Sequence, residues 1–255
     1  MQENHKYNIY MFIATIFFGM TYVLTKICLN YSTEFHIISF RFLIAFIVSL
    51  IFLQKKIFPV KRTEFLYSLL LGALLFLVFI AMTVGVKYTT ATNASFLISL
   101  SVIFIPFFSR FFNKEKPKKR IFVVLIIAFI GIMLLTLDQN LEFHIGDILC
   151  LICATLFTFY IIMTERIVKN NNPTALGVLQ FGWVSLFSFL IQYPIENFVI
   201  PKNKIFWSSM LILGVFCTAF GYIAQTIAQK KLPSTVVGFI LSLEPVFAGI
   251  FGYFF

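Results

Sequence analysis

Three ionisable side chains stand inside long apolar runs, where a charge needs a reason: Lys26, Arg41 and Glu244. Glu244 lies about ten residues, or about 15 Å at helical rise, into its run. A carboxylate at that depth must be protonated, paired or facing water. It could bind an amine or exchange a proton. It could equally satisfy backbone groups disturbed by Pro245, and the Glu-Pro pairing leans slightly to that structural role. Arg41 could meet a carboxylate or phosphate in the cavity mouth, or snorkel to the interface, and snorkelling is slightly favoured. For Lys26, near the end of the first run, snorkelling is favoured.

Uncharged polar groups in the same runs could complete a binding surface. Thr21, Tyr22, Asn93, Ser95, Ser99, Tyr160, Tyr222 and Gln225 are the candidates. Each also has an ordinary use in bonding one helix to another, which is commoner. Gly214, Cys217, Thr218, Gly221, Ala224 and Ala228 form a small-residue stripe suited to close packing or sliding. Cys150 and Cys153 form C-x-x-C without Pro, charge or nearby His, and with Cys28 and Cys217 they read as apolar fillers. His5, His36 and His144 offer no metal-ligand spacing, and no phosphate-binding loop, dinucleotide fingerprint or nucleophile elbow occurs. No cofactor, metal or catalytic residue is expected.

These residues must be positioned by an unusually apolar chain. Its 255 residues are 60% hydrophobic and 12% charged, with 35 Phe. A soluble domain carries about 25% charged residues, so a soluble enzyme, a disordered chain and a disulfide scaffold are excluded. The composition is that of a polytopic, all-α membrane protein. Runs long enough to cross about 30 Å of hydrocarbon are 7–25, 35–53, 65–86, 88–109, 121–137, 148–164, 174–195, 205–229 and 232–255. That makes nine spans with short connections and no room for a soluble catalytic domain.

Basic residues set the expected orientation. With the N-terminus cytoplasmic, the inner segments hold fifteen of the 20 Lys and Arg, including the cluster 110–120, and the outer segments hold three. The uncharged-to-acidic stretch around Asp138, Glu142 and Asp147 falls outside. The net charge of +10 is thus topology plus contact with anionic headgroups, not a nucleic-acid site.

A repeat is also visible. Residues 96–112 align without gaps on 239–255, with Phe96, Ser99, Leu100, Phe104, Phe111 and Phe112 matched by identical residues 143 positions on. The first copy runs inward and the second outward, so the repeat is inverted, as in secondary transporters whose site lies between the halves. The expected units are 1–138 and 139–255, with five spans in the first and four in the second. A tenth span is expected just after Phe255, its absence reading as truncation.

The segments FFGMTYVLTK, RFLIAF, LGALLFLVFIAMTVGVKYTTATNASFLISLSVIFIPFF and LGVFCTAFGYIAQTIAQKKLPSTVVGFILSLEPVFAGIFG carry a resemblance over essentially the whole chain. It resembles the drug/metabolite transporter superfamily and, within it, the EamA-type permeases. Leu243-Glu244-Pro245-Val246-Phe247 is the most specific match. Phe18 stands where that family commonly has Trp, and the acidic residue usual after span nine is missing although its first-half counterpart, Glu115, is present. The resemblance implies two inverted five-helix repeats around a central cavity and efflux of small metabolites, often amino acids or related compounds, across the cytoplasmic membrane.

The expected substrate-binding residues are Thr21, Tyr22, Asn93, Ser99, Tyr160, Tyr222, Gln225 and Glu244, with Lys26 and Arg41 at the outer mouth and Glu244 the proton-coupling candidate. Partners are a small-molecule substrate, the lipid bilayer and, as an open alternative, a second copy of the chain. The rival readings are a non-transporting membrane scaffold, a truncated inactive remnant and, less favoured, a membrane-embedded enzyme.

Overall fold

The computed structural model describes residues 2–113, 144–195 and 200–254. The expected span 121–137, with Glu115, Asp138 and Glu142, lies outside them. Within them the chain is helical: α1 Gln2–Leu29, α2 Glu34–Ile57, α3 Arg62–Tyr88, α4 Ala91–Ser99, α5 Ser101–Asn113, α6 Ile145–Val168, α7 Pro173–Ile195, α8 Lys204–Ile212, a π-helical stretch Leu213–Phe220, α9 Gly221–Gln229, α10 Ser234–Leu241 and α11 Glu244–Phe254. They compose eight helices long and apolar enough to cross a bilayer, since α4–α5, α8–α9 and α10–α11 are each one span. The protein is an all-α, multi-pass membrane protein.

Helix starts follow local side-chain chemistry. Thr90 accepts a hydrogen bond from the Asn93 backbone N–H, and Asn172 accepts one from Thr174, just ahead of Pro173 in the first turn of α7. Glu64 accepts the Lys61 N–H at 3.0 Å and Asp147 the His144 N–H at 3.1 Å, each carboxylate lying at the positive end of its helix. Leu66, Leu70, Phe52 and Phe239 are exposed, as outward faces in hydrocarbon should be.

α1 lies at the centre, against α2, α3, α4, α8, α9, α10, α11 and the π-helical stretch, while α2 packs on α7 and α3 on both α6 and α7. Closest approach requires glycine. A Cβ on Gly19 would stand 2.6 Å from Phe247 Cβ and 2.9 Å from both Ala248 N and Glu244 O, so α1 and α11 touch backbone to backbone. In the small-residue stripe, Gly214 meets Ile44 of α2 and Gly221 meets Phe18 of α1. That stripe packs, as its composition suggests.

The repeat extends from residue identity to backbone geometry. Span four is interrupted by a tighter turn at Leu100, with helical dihedrals kept, before its second half starts at Ser101, and span nine likewise at Ser242–Leu243 before its second half starts at Glu244. Both halves of each span begin 143 residues apart: Ala91 against Ser234, Ser101 against Glu244. α10 packs against α5 and α11 against α4, so the two interrupted spans cross antiparallel.

Candidate functional site

The interruption in span nine places Glu244 in the first turn of α11, where it is 7% exposed. Its Oε1 accepts a hydrogen bond from the Tyr22 hydroxyl of α1 at 2.8 Å. Tyr22 lies one turn beyond Gly19, so the close contact of α1 and α11 sets this bond. No cation pairs with Glu244 among the described residues.

Arg41 is 1% exposed in the third turn of α2. Its Nε donates to Thr218 Oγ1 at 2.5 Å and its Nη2 to Thr21 Oγ1 at 3.4 Å. The guanidinium carbon sits 4.6 Å from the Phe79 ring centroid, within cation–π range. Nη1 has no hydrogen-bond partner, and no carboxylate pairs with Arg41 among the described residues. Arg41 therefore does not snorkel. The π-helical stretch explains how it is held: Thr218 Oγ1 donates to Leu213 O, five residues back, at 2.8 Å, fixing the hydroxyl that receives Nε. π-helical turns recur at functional sites.

Both charges line one central cavity, with Thr21, Tyr22 and Tyr222 as its other polar members and Phe18, Val78, Phe79, Met82, Ile98, Cys153 and Phe157 as its apolar wall. Its free volume is about 20 Å³, room for about one water molecule. The site is narrow, and any larger occupant needs the helices to part.

Five of the ten residues singled out in the sequence thus converge. Tyr160 and Gln225 stand behind the wall. The Tyr160 ring lies 6.0 Å from that of Tyr222 and its hydroxyl bonds Gln180 at 3.1 Å, while Gln225 bonds Gln229 at 3.4 Å. Asn93 and Ser99 do not reach the cavity. Asn93 belongs to the first turn of α4, and Ser99 Oγ turns back to Ser95 O at 2.7 Å, as hydroxyls in helices commonly do. Nor does Lys26 face it: its ammonium donates to Val86 O at 2.6 Å, Lys87 O at 3.0 Å and Thr89 O at 2.7 Å, capping the end of α3. Sequence reasoning placed Thr218 only in the packing stripe and passed over Phe79. Nothing in the spacing distinguishes Phe79 from the other phenylalanines.

Two further carboxylates tie the interrupted spans to α6. Asp147, near its start, accepts Thr89 Oγ1 at 2.8 Å just ahead of α4. Glu165, near its end, accepts Ser234 N at 2.8 Å and Ser234 Oγ at 2.5 Å at the start of α10, and Lys169 Nζ at 2.9 Å. One helix thus latches both interrupted spans, at opposite ends of the bundle. Among the described residues no cluster of three or more potential metal ligands occurs, and all four cysteines are free and buried.

The profile of the EamA-like transporter family matches residues 5–137 and again 144–255. An uncharacterized transporter of Archaeoglobus fulgidus is 33% identical over 94% of this chain and 74% of its own length. Bacillus subtilis YetK, also described as an uncharacterized transporter, is 27% identical over 91% of this chain and 74% of its own length. The threonine/homoserine exporter RhtA of Salmonella typhimurium is 29% identical over 56% of this chain and 48% of its own length. A solved protein crystal structure superposes with a TM-score of 0.76 at 16% identity, covering 96% of this chain and 86% of its own, which shows the fold alone.

Proposed function

The chain belongs to the EamA-like transporter family, and we propose that it is a secondary transporter that exports small organic metabolites, amino acids or related compounds, by alternating access. Its position is the cytoplasmic membrane, with the N-terminus inside. The observation that carries this reading is the narrow cavity lined by Arg41 and Glu244 beside two antiparallel spans, each interrupted by a tighter turn. Secondary transporters bind their cargo near the midplane, at the interface between the repeats.

The latches on α6 supply the two gates. Release of Ser234 from Glu165 frees the start of α10 and opens the basic end; release of Thr89 from Asp147 frees the start of α4 and opens the other. Each release gives up hydrogen bonds to a carboxylate that water can replace once it enters. Opening at one end while the other stays latched is the alternation the cycle requires. Glu244 is the group assigned to proton exchange, since it belongs to the cavity wall and holds only one hydrogen bond from the described residues. The similarity to RhtA supports amino acids as cargo and export as direction.

The test is an untargeted comparison of intracellular and extracellular metabolites in cells overexpressing the chain, beside Glu244→Gln. A compound accumulating outside only with the unmodified chain supports export and a working role for Glu244. Equal accumulation with both keeps export and assigns Glu244 to architecture. No change, with the protein folded in the membrane, rejects export.

A further inference from the structure

The cavity presents two opposite charges, and neither has a partner of opposite sign among the described residues. Arg41 is cationic at any physiological pH. It is buried, touches the cavity and leaves Nη1 unbonded. Its Nε and Nη2 are taken by hydroxyls, which orient the guanidinium but carry no charge. Phe79 fixes the guanidinium further through its ring face. Glu244 is held in the same way, by a phenol and not by a cation. A protein evolving only for stability would pair such charges with each other or remove them, because an uncompensated charge in the membrane interior is expensive.

We infer that Arg41 and Glu244 are two halves of one recognition site for a zwitterion, Arg41 taking its carboxylate and Glu244, with Tyr22, its ammonium. The inference rests on the transporter reading above. Net charge argues for it independently of the family. Arg41 and the ionised Glu244 together are neutral, and a zwitterion leaves the loaded cavity neutral. With Glu244 ionised, a lone anion or a lone cation adds one uncompensated charge to the membrane centre. Both subsites are prepared before cargo arrives, which removes the ordering cost that binding otherwise carries. The free Nη1 is the donor left for a carboxylate oxygen, and planar donors of this kind suit carboxylates best. An ammonium beside Glu244 favours its ionised form, so arrival of the cargo drives a proton held there into the water on the open side. The two ligands therefore alternate on a single carboxylate.

The experiment uses the full chain in liposomes loaded with the twenty free amino acids, their methyl esters, their N-acetyl derivatives and a deproteinised extract of the expressing cells. Efflux is followed by mass spectrometry. The esters keep the ammonium and mask the carboxylate; the acetyl derivatives do the reverse. At least one free amino acid should leave about 100-fold faster than either of its masked forms, because a site built around polar groups strongly rejects a ligand that leaves them unpaired. Arg41→Gln should narrow the gap between the free form and the ester, and Glu244→Gln the gap between the free form and the acetyl derivative. A structural role would slow all three series alike. The unmodified chain decides the matter alone if either variant fails to fold. Masked forms leaving within threefold of the free form overturn the inference. So does efflux of extract compounds that lack one of the two charges while free amino acids stay behind. Both of those results leave transport standing, whereas no movement of any solute by folded, inserted protein overturns transport as well.

Discussion

Adding one methyl group at Gly19 should uncouple Tyr22 from Glu244 without altering either side chain. In the native packing a Cβ at this position would lie 2.6 Å from Phe247 Cβ and 2.9 Å from two backbone atoms of α11. Ordinary carbon contacts are about 3.5–4.0 Å, so α1 and α11 must separate by about 1 Å. Backbone cannot rotate away as a flexible side chain would. The Tyr22–Glu244 bond, one turn along and now 2.8 Å, then stretches to about 3.8 Å, beyond hydrogen-bonding range. Overpacking of this kind costs about 1–3 kcal/mol, and loss of a hydrogen bond to a charged group about 1.5–3 kcal/mol. The two share one displacement and do not add fully, which leaves about 2–4 kcal/mol. Thermal melting of the detergent-purified Gly19→Ala protein should fall by about 5–15 °C, with transport lost. Phe247→Ala should not rescue it, because the clashing Cβ remains. Phe247→Gly should rescue it in part, because the two backbone contacts persist. Wild-type melting and wild-type transport in Gly19→Ala would refute the packing argument.

Four further outcomes follow from the same geometry. Thr218→Val keeps the shape but removes the acceptor of Arg41 Nε; melting should drop by the equivalent of about 1–3 kcal/mol, and Thr218→Ser should restore it. Lys26→Met strips the cation from three carbonyls at the end of α3, lowering stability by about 0.3–2 kcal/mol, while the cargo selectivity of liposome efflux stays unchanged. Asp147→Asn and Glu165→Gln each weaken one latch; their losses in melting temperature should add, since the latches sit about 27 Å apart along α6. For orientation, cysteines placed at the exposed positions Lys61 and Lys202 should react with an impermeant maleimide from opposite sides, position 202 in intact cells and position 61 only after permeabilisation. Labelling of both from one side, or in the reverse order, would reject the assigned topology.

Much of the architecture was legible because bilayer physics is simple. Every span must run about 20 apolar residues, and eight of the nine expected runs coincide with spanning helices, the ninth lying outside the described residues. The gapless match at an offset of 143 anticipated a repeat. It did not reveal that both copies tighten at the same register, because Leu100 and Leu243 are ordinary helix formers and nothing in their type marks a tighter turn. The π-helical stretch was invisible for a similar reason. Its residues suit an α-helix equally well, and a tertiary contact between Thr218 and Arg41 accompanies the wider turn.

The site divides along the same line. Residue type and depth alone marked Arg41 and Glu244, since an ionisable group inside an apolar run is conspicuous on any hydropathy scale. Polar residues without charge were another matter. Ser99 satisfies itself on its own helix and Gln225 on its neighbour one turn away, whereas Thr21 and Tyr222 reach the cavity. Helical periodicity cannot separate these cases, because which face of a span meets the centre depends on rotation about its axis. That rotation is set by glycine contacts between distant segments, such as Gly19 against α11 and Gly221 against Phe18. Lys26 shows the limit most plainly: sequence placed it near a span end, but only the fold brought the end of α3 to its ammonium. The sequence by itself therefore determined a basic-flanked membrane bundle, an inverted repeat and three ionisable groups inside apolar runs. Tertiary structure decided that Arg41 and Glu244 are buried and share one narrow cavity, because their convergence depends on contacts between residues up to 222 positions apart.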